Sequence, residues 1–270
     1  MNILRTFLMH VAVAACLASP LAGATAFSPD ASDLYWNPNE SGWGMQLVQR
    51  NGLIFATLYV FSPAGTPTWY VAAMTPQPVP FTWSGDLFGS TGPWLGTVPF
   101  NPQLVAGSKV GTMSWTMNTV ETGTLTYSVN GIAVQKHLTR QTLAVVDYAG
   151  TYLGALHVQA SQCNNAALDG TTDLAATLQV TEQTQPGGTM VTVHAAFLGG
   201  LQCTYGGTLA QYGQMGQVNG TYSCNNTDAG TFRISEFQVN GAGITGRMTA
   251  KSSTLGCQDA AWFGAMRHAP

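Results

Sequence analysis

Ten residues, Tyr35-Trp36-Asn37-Pro38-Asn39-Glu40-Ser41-Gly42-Trp43-Gly44, place two indoles and one carboxylate on either side of an Asn-Pro turn. An indole face stacks on a sugar ring or an aromatic ligand, and Glu40 and Asn37 can hydrogen-bond hydroxyls at its edge. Trp69 adds a third indole a short distance along the chain. Trp36, Glu40, Trp43 and Trp69 are therefore the residues from which a ligand-binding platform could be built. The same residue types also make a structural corner, with Trp36 and Trp43 plugging a barrel end and Glu40 accepting backbone N–H bonds. A platform requires exposed, roughly coplanar rings with Glu40 at their edge.

No motif identifies a reaction, so no catalytic residue is assigned. Asn39 stands where G-x-S-x-G would need glycine, and H-E-x-x-H is absent. His157 and His194 alternate with polar neighbours, as solvated strand residues do. Carboxylates are sparse; an envelope carbohydrate hydrolase would have to pair Glu40 with Glu121 or Asp86 from separate strands. Lys136 and Arg140 share a strand face with Val134 and Leu138, so they snorkel at a rim or line a pocket for an anionic group. The cysteines lack the paired C-x-x-C spacing of a zinc site, and neither metal nor cofactor is expected.

The elements that must position these groups are strands. Gly-Thr followed by an apolar or aromatic residue recurs at Gly111, Gly123, Gly150, Gly207, Gly220 and Gly230, where glycine turns the chain and β-branched threonine starts a strand. The first half reads as strands near 42–50, 53–61, 67–74, 81–88, 110–118, 123–130 and 132–141, with Asn51-Gly52 and Asn130-Gly131 as hairpin turns. Residues 89–109, with Pro93-Trp94, Pro99 and Pro102, read as a loop. Both faces of Leu53 to Phe61 are apolar, as are both faces of Trp69 to Met74. Such a sheet is covered on both sides, by the protein's own second half or else by a partner copy, a ligand or lipid.

The second half reads as eight strands, near 150–162, 172–183, 189–197, 201–212, 217–224, 230–239, 242–251 and 257–267, a count suited to a closed up-and-down barrel. Alternating strand directions put Cys163, Cys203, Cys224 and Cys257 at one rim. Neighbouring strands then pair Cys203 with Cys224 and Cys163 with Cys257.

The stretch Trp36 to Met45, an apolar hairpin and then Gly65-Thr66-Pro67-Thr68-Trp69-Tyr70 resemble a segment found in many uncharacterised secreted bacterial proteins. The resemblance covers the first half, as far as Gln141. It implies export and β structure and brings no activity. Export is also written at the start of the chain. A basic n-region at Arg5 and an apolar run from Phe7 to Leu21 lead to an Ala24-Thr25-Ala26 cleavage site. Val13-Ala14-Ala15-Cys16 offers a lipobox alternative, the one route to a membrane anchor expected here.

Removing residues 1–26 takes Arg5 and leaves eight Lys/Arg against twelve Asp/Glu, a formal charge of −4. That is no footprint for nucleic acid. A membrane-spanning barrel is not expected, because the second half shows no long lipid-facing band. The sequence thus predicts an all-β protein of two compact antiparallel barrel-like or meander domains, 27–143 and 147–270, behind a signal peptide at 1–26. It would sit in the periplasm or outside the cell and bind a glycan or other envelope component without catalysis. The hydrolase and a purely structural or interaction module are the alternatives.

Overall fold

The computed structural model describes residues 30–268, so the signal peptide, its cleavage site and Cys16 lie outside the described residues. Two closed eight-stranded antiparallel barrels follow each other along the chain. The first comprises β1 (Asp33–Trp36), β2 (Gly44–Arg50), β3 (Leu53–Phe61), β4 (Pro67–Pro76), β5 (Thr82–Thr91), β6 (Ala106–Met117), β7 (Thr122–Val129) and β8 (Ile132–Arg140). The second comprises β9 (Gly150–Ser161), β10 (Gly170–Gln185), β11 (Gly188–Phe197), β12 (Gln202–Tyr212), β13 (Met215–Cys224), β14 (Ala229–Val239), β15 (Gly243–Ser252) and β16 (Gln258–Arg267). Closure removes free sheet edges, which lets a surface rich in Thr, Ser and Gln and poor in charge stay unpaired with other chains.

Two corrections to the sequence reading concern the first barrel. It has eight strands, not seven: β1 was missed because it is four residues long, begins with Asp and runs into the Asn-Pro turn. β1 closes the barrel by pairing with both β2 and β8. The expected loop 89–109 is also shorter, because β5 and β6 continue pairing to Thr91↔Ala106 beyond a register shift at Leu87/Phe88.

Both barrels are closed by the same device. Tyr35 of β1 lies directly opposite Arg140 of β8, and Tyr152 of β9 directly opposite Arg267 of β16. Each guanidinium sits over its tyrosine ring, at 5.3 and 5.1 Å from the centroid. Each tyrosine hydroxyl donates to the carbonyl four residues earlier, Ala31 and Tyr148. The first and last strands of each barrel are thereby pinned, though they are far apart in sequence.

The barrels are filled. Tyr35, Met45, Leu47, Ile54, Leu58, Met74 and Trp115 pack the first. Tyr152, Val191, Val218 and Phe237 anchor the second. An apolar void of about 30 Å³ among Val180, Val193, Phe237 and Ile244 leaves room for about a water molecule. At the upper rim of the second barrel the disulfides join Cys203 to Cys224 and Cys163 to Cys257, the pairing that strand alternation predicts. Beneath them Asp228 accepts hydrogen bonds from the hydroxyls of Tyr222 and Ser252.

The barrels meet through adjacent lower rims. Asp33 accepts from the Gln214 backbone N–H, Gln214 Nε2 donates to the Ser32 carbonyl, and Gln217 Nε2 donates to Glu121. This polar seam leaves the wall of the first barrel uncovered. Leu53, Phe55, Tyr59, Phe61 and Trp69 stay 42–56% exposed while Ile54, Ala56 and Leu58 fill the interior. Cover by the protein's own second half is therefore overturned, because the second barrel abuts an end and not the side.

Candidate functional site

The β1–β2 turn is built by local hydrogen bonds. Asn37 Oδ1 accepts from the Asn39 N–H, the Asn37 carbonyl accepts from the Glu40 N–H, and Gly42 takes φ +99°, where a side chain would be strained. Strand alternation then separates the two indoles. Tyr35 is buried in the barrel, so its neighbour Trp36 faces outward, while Trp43 packs inward against the core. Trp36 and Trp43 lie on opposite faces of the sheet, an arrangement that gives no shared platform.

Glu40 is taken up by Lys136. The ammonium reaches both carboxylate oxygens, at 2.7 and 2.9 Å, and stands 6.0 Å from the Trp43 ring centroid. Lys136 lies opposite fully buried Leu125, so it rises inside the barrel wall to this contact at the upper mouth. The corner reading is corrected in one respect: Glu40 neutralises Lys136 rather than capping backbone N–H groups. Burial raises the pKa of neighbouring Tyr127, and the Lys136 charge opposes that shift.

The three carboxylates of a hydrolase do not converge. Glu40 is at the upper mouth, Glu121 is in the seam with Gln217, and Asp86 is paired with Lys109 at 2.8 Å on the outer wall. His157 pairs with Asp173 and His194 with half-buried Thr204, on the outer face of the second barrel. Among the described residues no group of three or more His, Cys, Asp or Glu side chains could hold a metal ion.

Trp69 occupies the most ligand-like position of the four. The β4–β5 ladder ends at Tyr70↔Gly89, whereas β3–β4 runs on to Phe61↔Pro67 and β5–β6 to Thr91↔Ala106. β4 and β5 therefore splay, opening a wedge of about 260 Å³ lined by Thr68, Trp69, Tyr70, Gly89, Ser90, Thr91, Gly107 and Ser108. Trp69 is 49% exposed at its side. No charged residue lines the wedge; hydroxyls and splayed strand edges supply its polarity. A Cβ at Gly107 would meet only Gly89 O and Ser90 Oγ, both at 4.0 Å, so the floor is open. Sequence reasoning found Trp69 but not its partners, because small residues on three strands converge only when the ladder ends. A larger polar furrow of about 600 Å³ runs along the second barrel past Gln159, Ser161, Thr231, Thr249 and Lys251. It lacks an exposed aromatic ring to stack on a ligand.

No family model matches the chain, and no curated protein matches it. Among solved structures, a provisionally named outer membrane protein from Bacteroides fragilis aligns over 88% of this chain and 98% of its own, at 12% identity and a TM-score of 0.32. A likeness that distant bears on neither fold nor function.

Proposed function

We propose that this is an exported, non-enzymatic β protein of the cell envelope that binds a neutral, ring-shaped ligand, with a sugar the best fit, in the wedge beside Trp69. One observation carries the reading: a half-exposed indole borders an uncharged recess lined by hydroxyls and glycines, of a size for one sugar ring. Stacking on the indole supplies affinity, and hydroxyls and open strand edges supply direction. Two disulfides fit an oxidising compartment, in keeping with the leader-like start of the chain. Trp36, Trp43 and Glu40 take the structural role of shaping the mouth. The separation of Glu40, Glu121 and Asp86 supports binding over hydrolysis.

Titration of the intact protein with N-acetylglucosamine, galactose, glucose and their short oligomers, followed by indole fluorescence, tests this. Trp69→Ala should weaken binding by about 1–3 kcal/mol and leave the thermal midpoint nearly unchanged, as for an exposed hot-spot ring. Gly107→Leu should fill the recess and abolish binding. Unaltered binding in both variants would move the site elsewhere. No saturable binding to any of these sugars would leave a structural or interaction module.

A further inference from the structure

The β5–β6 connection carries a cluster of strongly exposed apolar side chains, and the sugar wedge does not use them. Trp94 is 79% exposed, Leu95 81% and Val98 91%, with Leu104 at 62% and Val105 at 52%. The loop is built, not slack. The Thr97 N–H donates to the Trp94 carbonyl, and the Trp94 ring lies over Gly96. Asn101 caps a one-turn 3-10 helix at Pro102–Leu104, and Pro93, Pro99 and Pro102 restrict the backbone further. β5 and β6 pair on to Thr91↔Ala106, past the Tyr70↔Gly89 end of the β4–β5 ladder, so this loop stands at the upper end of the barrel on a hairpin that β4 no longer flanks.

Charge decides what such a tip can meet. Between Asp86 and Lys109 no Asp, Glu, Lys, Arg or His occurs, and those two flanking residues neutralise each other at 2.8 Å. A convex, uncharged tip with nearly bare side chains offers no groove and no polar rim of the kind a protein interface uses. Its chemistry is that of interfacial insertion, in which Trp, Leu, Val and Phe sink into the headgroup and acyl boundary. Below the tip, at the same end, Trp69 lies opposite Tyr59 and Phe61 opposite Pro67, all on the outer face. That is the amphipathic aromatic belt expected at headgroup level.

We infer that the 92–105 loop anchors the protein to a lipid bilayer surface by inserting Trp94, Leu95 and Val98, independently of lipid charge. The second barrel, joined at the opposite rim of the first, is held away from the bilayer.

The experiment is cosedimentation of the mature protein with phosphatidylcholine vesicles and with phosphatidylethanolamine/phosphatidylglycerol vesicles, at low and high salt. Binding to both, unaffected by salt, is expected. Brominated lipid should quench emission in the wild type, and Trp94→Phe should remove the larger part of that quenching while retaining binding. Combined Trp94→Ser, Leu95→Ser and Val98→Ser should abolish cosedimentation while leaving the melting curve and the sugar titration unchanged. The inference is overturned by no binding to either vesicle, or by binding that survives the triple substitution. It also falls if binding is confined to anionic vesicles and reversed by salt, or if vesicle-free protein forms a dimer that the triple substitution dissociates, which would make a second copy the occupant.

Discussion

Arg140 has a side chain with no exposure to water, and its cost is met by a closely fitted set of acceptors. Nε donates to the Val120 carbonyl at 2.7 Å, Nη1 to the Ser32 carbonyl and to Asp33 Oδ2 at 3.1 Å each, and Nη2 to the Asp30 carbonyl at 2.5 Å. A buried cation is tolerated only when its donors are nearly all satisfied. Here the fan of acceptors comes from the entry to β1, the β6–β7 turn and the Asp33 carboxylate, so one side chain ties three parts of the lower rim. Lysine cannot reproduce this fork geometry. Arg140→Lys is expected to lose about 3–5 kcal/mol of stability, read by chemical denaturation, because the Val120 and Asp30 carbonyls would lose the guanidinium donors and the Asp33 carboxylate its charged partner. The sequence reading of Arg140 as a rim or pocket charge shared with Lys136 resolves into two roles. Lys136 serves the upper mouth and Arg140 seals the lower one.

At the scale of elements, each barrel depends on contacts between strands that are distant in sequence. The Cys163–Cys257 bridge joins the ends of β9 and β16 across a separation of 94 residues, and Cys203–Cys224 joins β12 and β13 across 21. Loop-closure entropy in the unfolded chain rises with the logarithm of that separation. Each bridge taken alone is then worth roughly 3 kcal/mol for the short loop and between about 4 and 5 for the long one. Replacing Cys163 and Cys257 together by serine should therefore lower the denaturation midpoint of the second barrel more than replacing Cys203 and Cys224. An equal loss from both pairs would point to native-state contacts and not chain entropy. The first barrel, without disulfides, should be unaffected by reductant.

The whole molecule is two closed units joined through a polar seam and a short connection. Tyr148, in that connection, is buried against Phe237, donates its hydroxyl to the Phe237 carbonyl, and has its N–H held by Glu182. Burial raises the pKa of Glu182 despite that N–H. Burial also raises Glu236 in the seam against the pull of Arg247, and Asp259 at the upper rim, where Asp228 adds to the shift. The sign follows from the raised values. The folded state holds these protons more tightly than the unfolded chain, so the contribution to stability is fully present below the ordinary carboxylate range and is lost as pH rises through the raised folded values. Thermal midpoints measured from the ordinary carboxylate range upward through the mildly acidic range should fall by this contribution. Glu182→Gln keeps an acceptor for the Tyr148 N–H and should flatten the decline. An unchanged slope in that variant would remove Glu182 from the account.

The all-β class, the eight strands of the second barrel and the disulfide rim were legible in the residues themselves. Gly-Thr starts, period-two alternation and cysteine placement are local signals, and an up-and-down meander turns chain order directly into neighbour order. β1 carried too little local signal, since four residues beginning with Asp owe their strand state to pairing with β2 and β8. The site was half legible. Composition singled out Trp36, Glu40, Trp43 and Trp69, yet only strand parity sent Trp36 outward and Trp43 inward, and only closure brought Lys136 onto Glu40. Where β4 parts from β5, and hence where a recess opens and a loop projects, depends on ladder lengths and a register shift on three strands. A sequence records which side chains are present and their order; which of them share a face across a closed sheet is a property of register, and register is settled by the packing of the whole barrel.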